Sequence, residues 1–139
     1  LLQGKKRFSI KPWIYSLSAA AAILVCVLVP AYNMINNKLC DSALIASSSY
    51  MTSTKGGFDV NNATKDQIKA ELTNLETNYI QAADDEEKRE AGWNLVQAYL
   101  KLHKKGDAIK VLKELNEKFG VGRLNEFDNP YQELLEILD

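Results

Sequence analysis

The chain has 139 residues, 46% of them hydrophobic and 25% charged, with 17 cations against 18 anions for a formal net charge of -1. The near balance conceals an asymmetry: residues 1–11 hold four cations (Lys5, Lys6, Arg7 and Lys11) and no anion, so residues 38–139 carry 13 cations against 18 anions, net -5. That balance argues against a nucleic-acid surface on the long C-terminal part. Once an uncharged run from Pro12 to Asn37 is set aside, the length leaves room for one small domain.

The uncharged run comes first. Its apolar centre, Trp13 to Tyr32, would extend about 30 Å as a helix, the thickness of a bilayer's hydrocarbon core. Ala19 to Ala22 favour helix, and Ile23 to Val29 supply apolar bulk. Trp13, Tyr15 and Tyr32 stand where the headgroup interfaces would lie, so these three anchor the predicted membrane helix. Pro30 lies near its far end. The cations precede the run, which places the N-terminus in the cytoplasm and the remainder outside the inner membrane. A cleaved signal is the competing reading, but its apolar region is usually about 7 to 15 residues, and no A-x-A-like site follows Val29. The start at Leu1-Leu2 instead of methionine leaves room for residues upstream of the tail.

The predicted organisation is therefore a basic tail (1–11), a transmembrane helix (12–37), a juxtamembrane segment with a tether (38–60) and a helical domain (61–139). Residues 36–46 continue the helix for a few turns, with Ile35, Leu39, Ser42 and Ala46 along one side. Ser47 to Gly57 (SSSYMTSTKGG) has the Ser, Thr and Gly content of a tether. Cys26 and Cys40 are roughly 21 Å apart on a continuous helix, too far to bridge within one chain. Cys40 is read as a small apolar residue, with an interchain link as the alternative.

In the domain, Thr64 and Gln67 form a capping box that opens a first helix with Ile68, Leu72, Leu75, Tyr79 and Ala82 as its stripe. Asp84 with Glu87 opens a second, running to about Lys104. It is apolar on two sides (Ala91, Leu95, Tyr99 and Leu102; Trp93, Val96 and Leu100), which predicts a central position. Its end is marked by His103-Lys104-Lys105-Gly106, cations and a glycine suited to a C-terminal turn. A third helix starts near Asp107 with Ala108, Val111, Leu112, Leu115 and Phe119 buried, and Gly120-Val121-Gly122 stops it. Asn129-Pro130 opens the last, with Gln132 completing a box and Tyr131, Leu134, Leu135 and Leu138 as its stripe. No segment alternates as a strand does, so the fold class is all-α.

AGWNLVQAYLKLHKKGDAIKVLKEL, residues 91–115, resembles a tetratricopeptide repeat: Leu95, Tyr99, Ala108 and Leu112 fall where that repeat puts its leucine, tyrosine, alanine and large apolar residue. Trp93 stands one place later than the repeat's tryptophan, Val96 occupies its glycine position, and Lys105 replaces an aromatic. Trp93, Leu95, Tyr99, Ala108 and Leu112 are thus the expected repeat-packing residues. With the NPYQELLEIL ending, residues 86–139 are similar to the outer part of small single-pass membrane proteins of Bacteroidetes-type bacteria. The resemblance implies about one and a half repeats and a protein-interaction role, in some cases beside membrane-stress and sigma-factor regulation. Three repeats are usually needed for a concave groove, so such a domain either binds on one helix-pair face or completes its core with another chain.

No catalytic set, cofactor site or metal site is expected. His103 is the only histidine and stands among lysines at a helix end. Residues 84–87 lack the alternation and glycine of a calcium loop, and Gly120-Val121-Gly122 follows a helix instead of a strand. The expected function is a membrane-anchored interaction module with an unidentified protein partner, no nucleic acid, and a homo-oligomer as one option; its acidic bias suits a basic partner. The alternatives are a transmembrane regulator of anti-sigma type and an accessory subunit of a membrane complex such as a translocation assembly.

Overall fold

The computed structural model describes residues 11–50, 57–120 and 129–139, with the side chains of the first helix from residue 19 onward. Five helices follow in order: α1 (Lys11–Ser47), α2 (Lys65–Gln81), α3 (Asp85–Lys101), α4 (Lys105–Phe119) and α5 (Pro130–Leu138). Among the described residues there is no strand, and the protein is all-helical, a long apolar N-terminal helix followed by a small helical unit. The chain divides into Leu1–Ile35 and Asn36–Asp139. Residues 1–10 of the basic tail, most of the expected tether and residues 121–128 lie outside the described residues, as do the side chains of Trp13 and Tyr15.

In the first unit every described side chain from Ala19 to Ile35 is exposed, including Ile23, Leu24, Val27, Leu28 and Tyr32. Within α1, Ala19–Ser47 holds an 18-residue window of mean hydropathy 1.8, so this helix is long and apolar enough to cross a membrane near the N-terminus. Pro30 lies well inside α1 instead of near its end. Having no N–H, it leaves the carbonyl of Cys26 without its usual helical donor.

The second unit has one core, drawn from α1 beyond Asn36, from Val60 and Ala63, and from α2 to α5. Thr64 caps α2 in a true box, its hydroxyl accepting from Gln67 N while Gln67 Oε1 accepts from Thr64 N at 2.8 Å. The other two caps keep the first half of that exchange and alter the second. Asp84 accepts from Glu87 N, but the Glu87 carboxylate reaches past it to Ala83 N at 3.0 Å. Asn129 accepts from Gln132 N, whereas the Gln132 side chain turns to Asn116 and Glu136. These outward partners give Gln132 two side-chain bonds in place of one backbone bond.

Helix α3 packs against α2 and α4, and α5 packs on α4. The stripe Ala108, Val111, Leu112, Leu115 and Phe119 is buried, and Lys110, Lys113, Glu114 and Glu117 are exposed. At Gly92 two neighbours crowd the backbone: a Cβ there would lie 2.8 Å from Leu115 Cδ2 on α4 and 2.9 Å from Tyr79 Cε2 on α2. Lack of a side chain at this point lets three helices converge.

The α3–α4 corner differs from the predicted one. Helix α3 stops at Lys101, and the left-handed residue is His103 (φ 57°), not Gly106, which lies within α4. His103 N donates to Leu100 O and Lys104 N to Tyr99 O, the two bonds of a Schellman turn. Histidine is among the non-glycine residues that enter this region more readily.

Candidate interaction face

Residues 36–50 build a surface that the sequence pattern places one step away. The buried positions are Cys40, Ala43 and Ser47, each 0% exposed, with Asn36 half-buried. Spacings of four, three and four put these on one side of the helix. The predicted stripe is out of register: Ile35 is 57% exposed and Ser42 is exposed, while Leu39 and Ala46 pack only at the edge. Ser47, expected to begin a tether, is the last helical residue and is enclosed. Cys40 is a free, buried thiol.

Polar contacts fix how this segment lies. Asn36 Nδ2 donates to the His103 carbonyl at 3.1 Å, and His103 Nε2 lies 2.8 Å from Asp41 Oδ1. Gln97 Nε2 donates to Ser47 Oγ at 3.2 Å in a buried bond. The Tyr50 ring meets Trp93 edge-on with centroids 6.3 Å apart, and the Tyr50 hydroxyl donates to Glu133. Partners of residues 36, 47 and 50 thus fall at 103, 97 and 93, so the segment runs antiparallel to α3. Trp93 in turn meets Tyr131 of α5 at 5.8 Å. The face of α3 carrying Trp93, Gln97 and the corner, together with the start of α5, therefore already holds a helix.

The five residues of the repeat-like pattern are all enclosed in the unit: Trp93 and Leu95 are 2% exposed, Tyr99 8%, Ala108 and Leu112 0%. Trp93 serves the face just described. The Tyr99 hydroxyl crosses to α2 and donates to Glu76 Oε1 at 2.6 Å, and the Tyr79 hydroxyl donates to Glu114 Oε2 at 2.8 Å on α4. Burial, reinforced in each case by its carboxylate acceptor, raises both phenols well above their ordinary pKa. Lys88 adds a cation 3.8 Å from the centre of the Tyr79 ring and donates to the Tyr79 carbonyl. Tyr32, the one interfacial aromatic whose side chain is described, is 67% exposed on α1.

At the N-terminal end of α3 the chemistry changes. The Arg89 guanidinium stands 5.5 Å and Lys118 Nζ 5.3 Å from the Phe119 ring centre, and Lys118 pairs with Asp85 at 3.0 Å. Two buried donors there, Arg89 Nε and Trp93 Nε1, have no acceptor among the described residues. Nothing in the sequence signals this, because unmet donors appear only once the neighbours are placed. Burial pushes the Tyr131 phenol up, and the Arg89 charge draws it partly back.

Across α2 and α3 lies an open cleft of about 770 Å³, lined by Glu71, Asn74, Asn78, Glu87, Glu90 and Asn94 among others. It is polar and acidic. Among the described residues no group of three His, Cys, Asp or Glu side chains is placed to hold a metal ion. No protein-family model, curated protein or solved structure matches the chain.

Proposed function

We propose that the protein is a membrane-anchored, non-catalytic module that binds another protein through its small helical unit, on the outer side of the inner membrane. The observation that carries the reading is the open polar, acidic cleft across α2 and α3; beside it, the face of α3 and α5 seats the chain's own residues 36–50 through Trp93, Gln97 and Tyr131, a surface built to hold a helix. Trp and Tyr are the residue types that dominate protein interfaces, where each supplies a large apolar body and one polar handle. The repeat-like spacing of Leu95, Tyr99, Ala108 and Leu112 supports an interaction role, and the acidic cleft suits a partner with a basic segment. Lys5, Lys6, Arg7 and Lys11 support the orientation by the positive-inside rule.

Anchoring is part of the function in this reading. A weak binding face confined to the membrane meets membrane partners at raised effective concentration. Photo-crosslinkers placed singly at Asn78 and Asn94 in the cleft and at Ile80 on the exposed side of α2 test it in native membranes. A discrete protein adduct from the cleft positions, absent from Ile80, is expected; lipid or no adduct at all three positions would refute the reading.

A further inference from the structure

The N-terminal end of α3 holds features that the core does not use. Arg89 and Trp93 are four residues apart, so they neighbour each other on one side of the helix. Trp93 is 2% exposed, its indole N–H is enclosed, and no acceptor among the described residues meets it; Arg89 Nε is in the same state. Buried donors are nearly always matched, so two unmet ones a helical turn apart mark a place for an acceptor. Among the described residues no carboxylate lies within ion-pair distance of Arg89. The nearby acids are engaged: Asp85 with Lys118, and Glu133 with Tyr50.

The local charge points the same way. Residues 38–139 are net negative, yet Arg89 and Lys118 flank one ring, Phe119, at 5.5 and 5.3 Å. The corner reaches solvent on that side, since Arg89 is half-buried and the Lys118 and Asp85 side chains are 54% and 52% exposed. A planar anion entering there meets a guanidinium whose forked donors match a carboxylate, with the indole N–H of Trp93 one helical turn away and the rings of Phe119 and Tyr131 as apolar walls. A phenol or amide would supply an acceptor without charge and leave the Arg89 cation unmatched, Lys118 being already paired with Asp85.

We infer that Arg89, Trp93, Lys118 and Tyr131 form a carboxylate-binding site, which takes an acidic side chain or a C-terminal carboxylate of the protein partner. This rests on the reading of the domain as a binding module, and it assigns that partner a carboxylate at this corner. The site lies on α3, beyond the end of the segment 36–50, at Tyr50.

The test is a two-dimensional ¹⁵N–¹H spectrum of the full chain in lipid nanodiscs, observing the indole N–H of Trp93 and the Nε–H of Arg89. The Trp13 indole is assigned by Trp13→Phe. Acetate and benzoate are added at constant ionic strength, with acetamide and benzamide as uncharged counterparts. Saturable downfield movement of both signals with the acids, at least tenfold weaker movement with the amides, and loss of the response in Arg89→Gln are expected. Lys118→Gln, which leaves the two unmet donors in place, should weaken the acid response severalfold and keeps the test open if Arg89→Gln does not fold. Equal response to acid and amide, no response to either, or an indole signal that shifts in Glu126→Gln or Asp128→Asn before any ligand is added would overturn the proposal. The last result would assign the acceptor to the chain itself. Failure here with a discrete adduct from the cleft would leave the interaction reading standing.

Discussion

Replacing Gly92 by alanine separates two effects that usually travel together. In a helix interior alanine is favoured over glycine by about 1 kcal/mol, so on propensity alone the change stabilises α3. The added Cβ, however, would meet Leu115 Cδ2 at 2.8 Å, Tyr79 Cε2 at 2.9 Å and Leu115 Cδ1 at 3.0 Å. Both neighbours must move, and neither has much room. Leu115 is 1% exposed, while Tyr79 is held at its hydroxyl by Glu114 and across its ring by Lys88. Overpacking of this kind costs about 1–3 kcal/mol, which exceeds the propensity gain through most of its range and leaves a net loss of about 1 kcal/mol. For a unit of this size that lowers the melting temperature by about 4–8 °C. Gly106→Ala is the internal control, because a propensity gain of the same sign, smaller in the first turn of α4, applies there and nothing lies within 4 Å of the new Cβ. Its melting temperature should rise by a few degrees. Thermal unfolding of the full chain in detergent, followed by Trp93 fluorescence in the Trp13→Phe background, measures both. A Gly92→Ala protein as stable as the Gly106→Ala protein would refute the convergence of α2, α3 and α4 at this residue.

The remaining predictions concern other parts of the same unit. In a Cys26→Ser background the Cys40 thiol, 0% exposed, should resist maleimide in the folded chain and react fully in denaturant; rapid native labelling would show that residues 36–47 are not docked. Tyr79 and Tyr99 have raised phenol pKa values in the fold, so the unfolded chain loses these protons first as pH climbs past 10. Stability should therefore be level below pH 10 and fall above it, by up to about 1.4 kcal/mol per pH unit for each phenol. Urea titrations of Tyr79→Phe and Tyr99→Phe should show a shallower alkaline slope, and an unchanged slope in both would contradict the assignment. Thr64→Ala removes the hydroxyl that accepts from Gln67 N and should cost about 1 kcal/mol; a loss below a few tenths in the same titration would mean the box contributes nothing.

Helices α2 to α5 were legible because their buried faces are made of leucine, valine and aromatic residues at helical spacing, and the starts of α2, α3 and α5 carry Thr64, Asp84 and Asn129. The docked part of α1 was not. Its inward positions are Asn36, Cys40, Ala43 and Ser47, small or polar residues that produce no hydrophobic periodicity, while Ile35 and Leu39 draw the pattern one step aside. Ser47 reads as tether by composition, and only the buried amide of Gln97, fifty positions away, shows why a serine is there. The α3–α4 corner misleads for a similar reason: glycine is the usual left-handed residue, but the hydrogen bonds close around His103. As for the site, the burial of Leu95, Tyr99, Ala108 and Leu112 could be read from spacing, whereas the unmet donors of Arg89 and Trp93 depend on α4 and α5 and have no linear signature.

The contact between Tyr50 and Glu133 spans 83 positions of sequence, and this separation has a consequence for biosynthesis. The apolar helix and residues 36–50 leave the ribosome first, but the surface that receives them is finished only when α5 has been made. At about 5–20 residues per second, that is an interval of about 4–17 s. Throughout it the segment lacks its complete seat. It is segment 36–50, made first, that each new chain must keep without its complete seat until α5 is finished, and in that period another helix can compete with α3 for it.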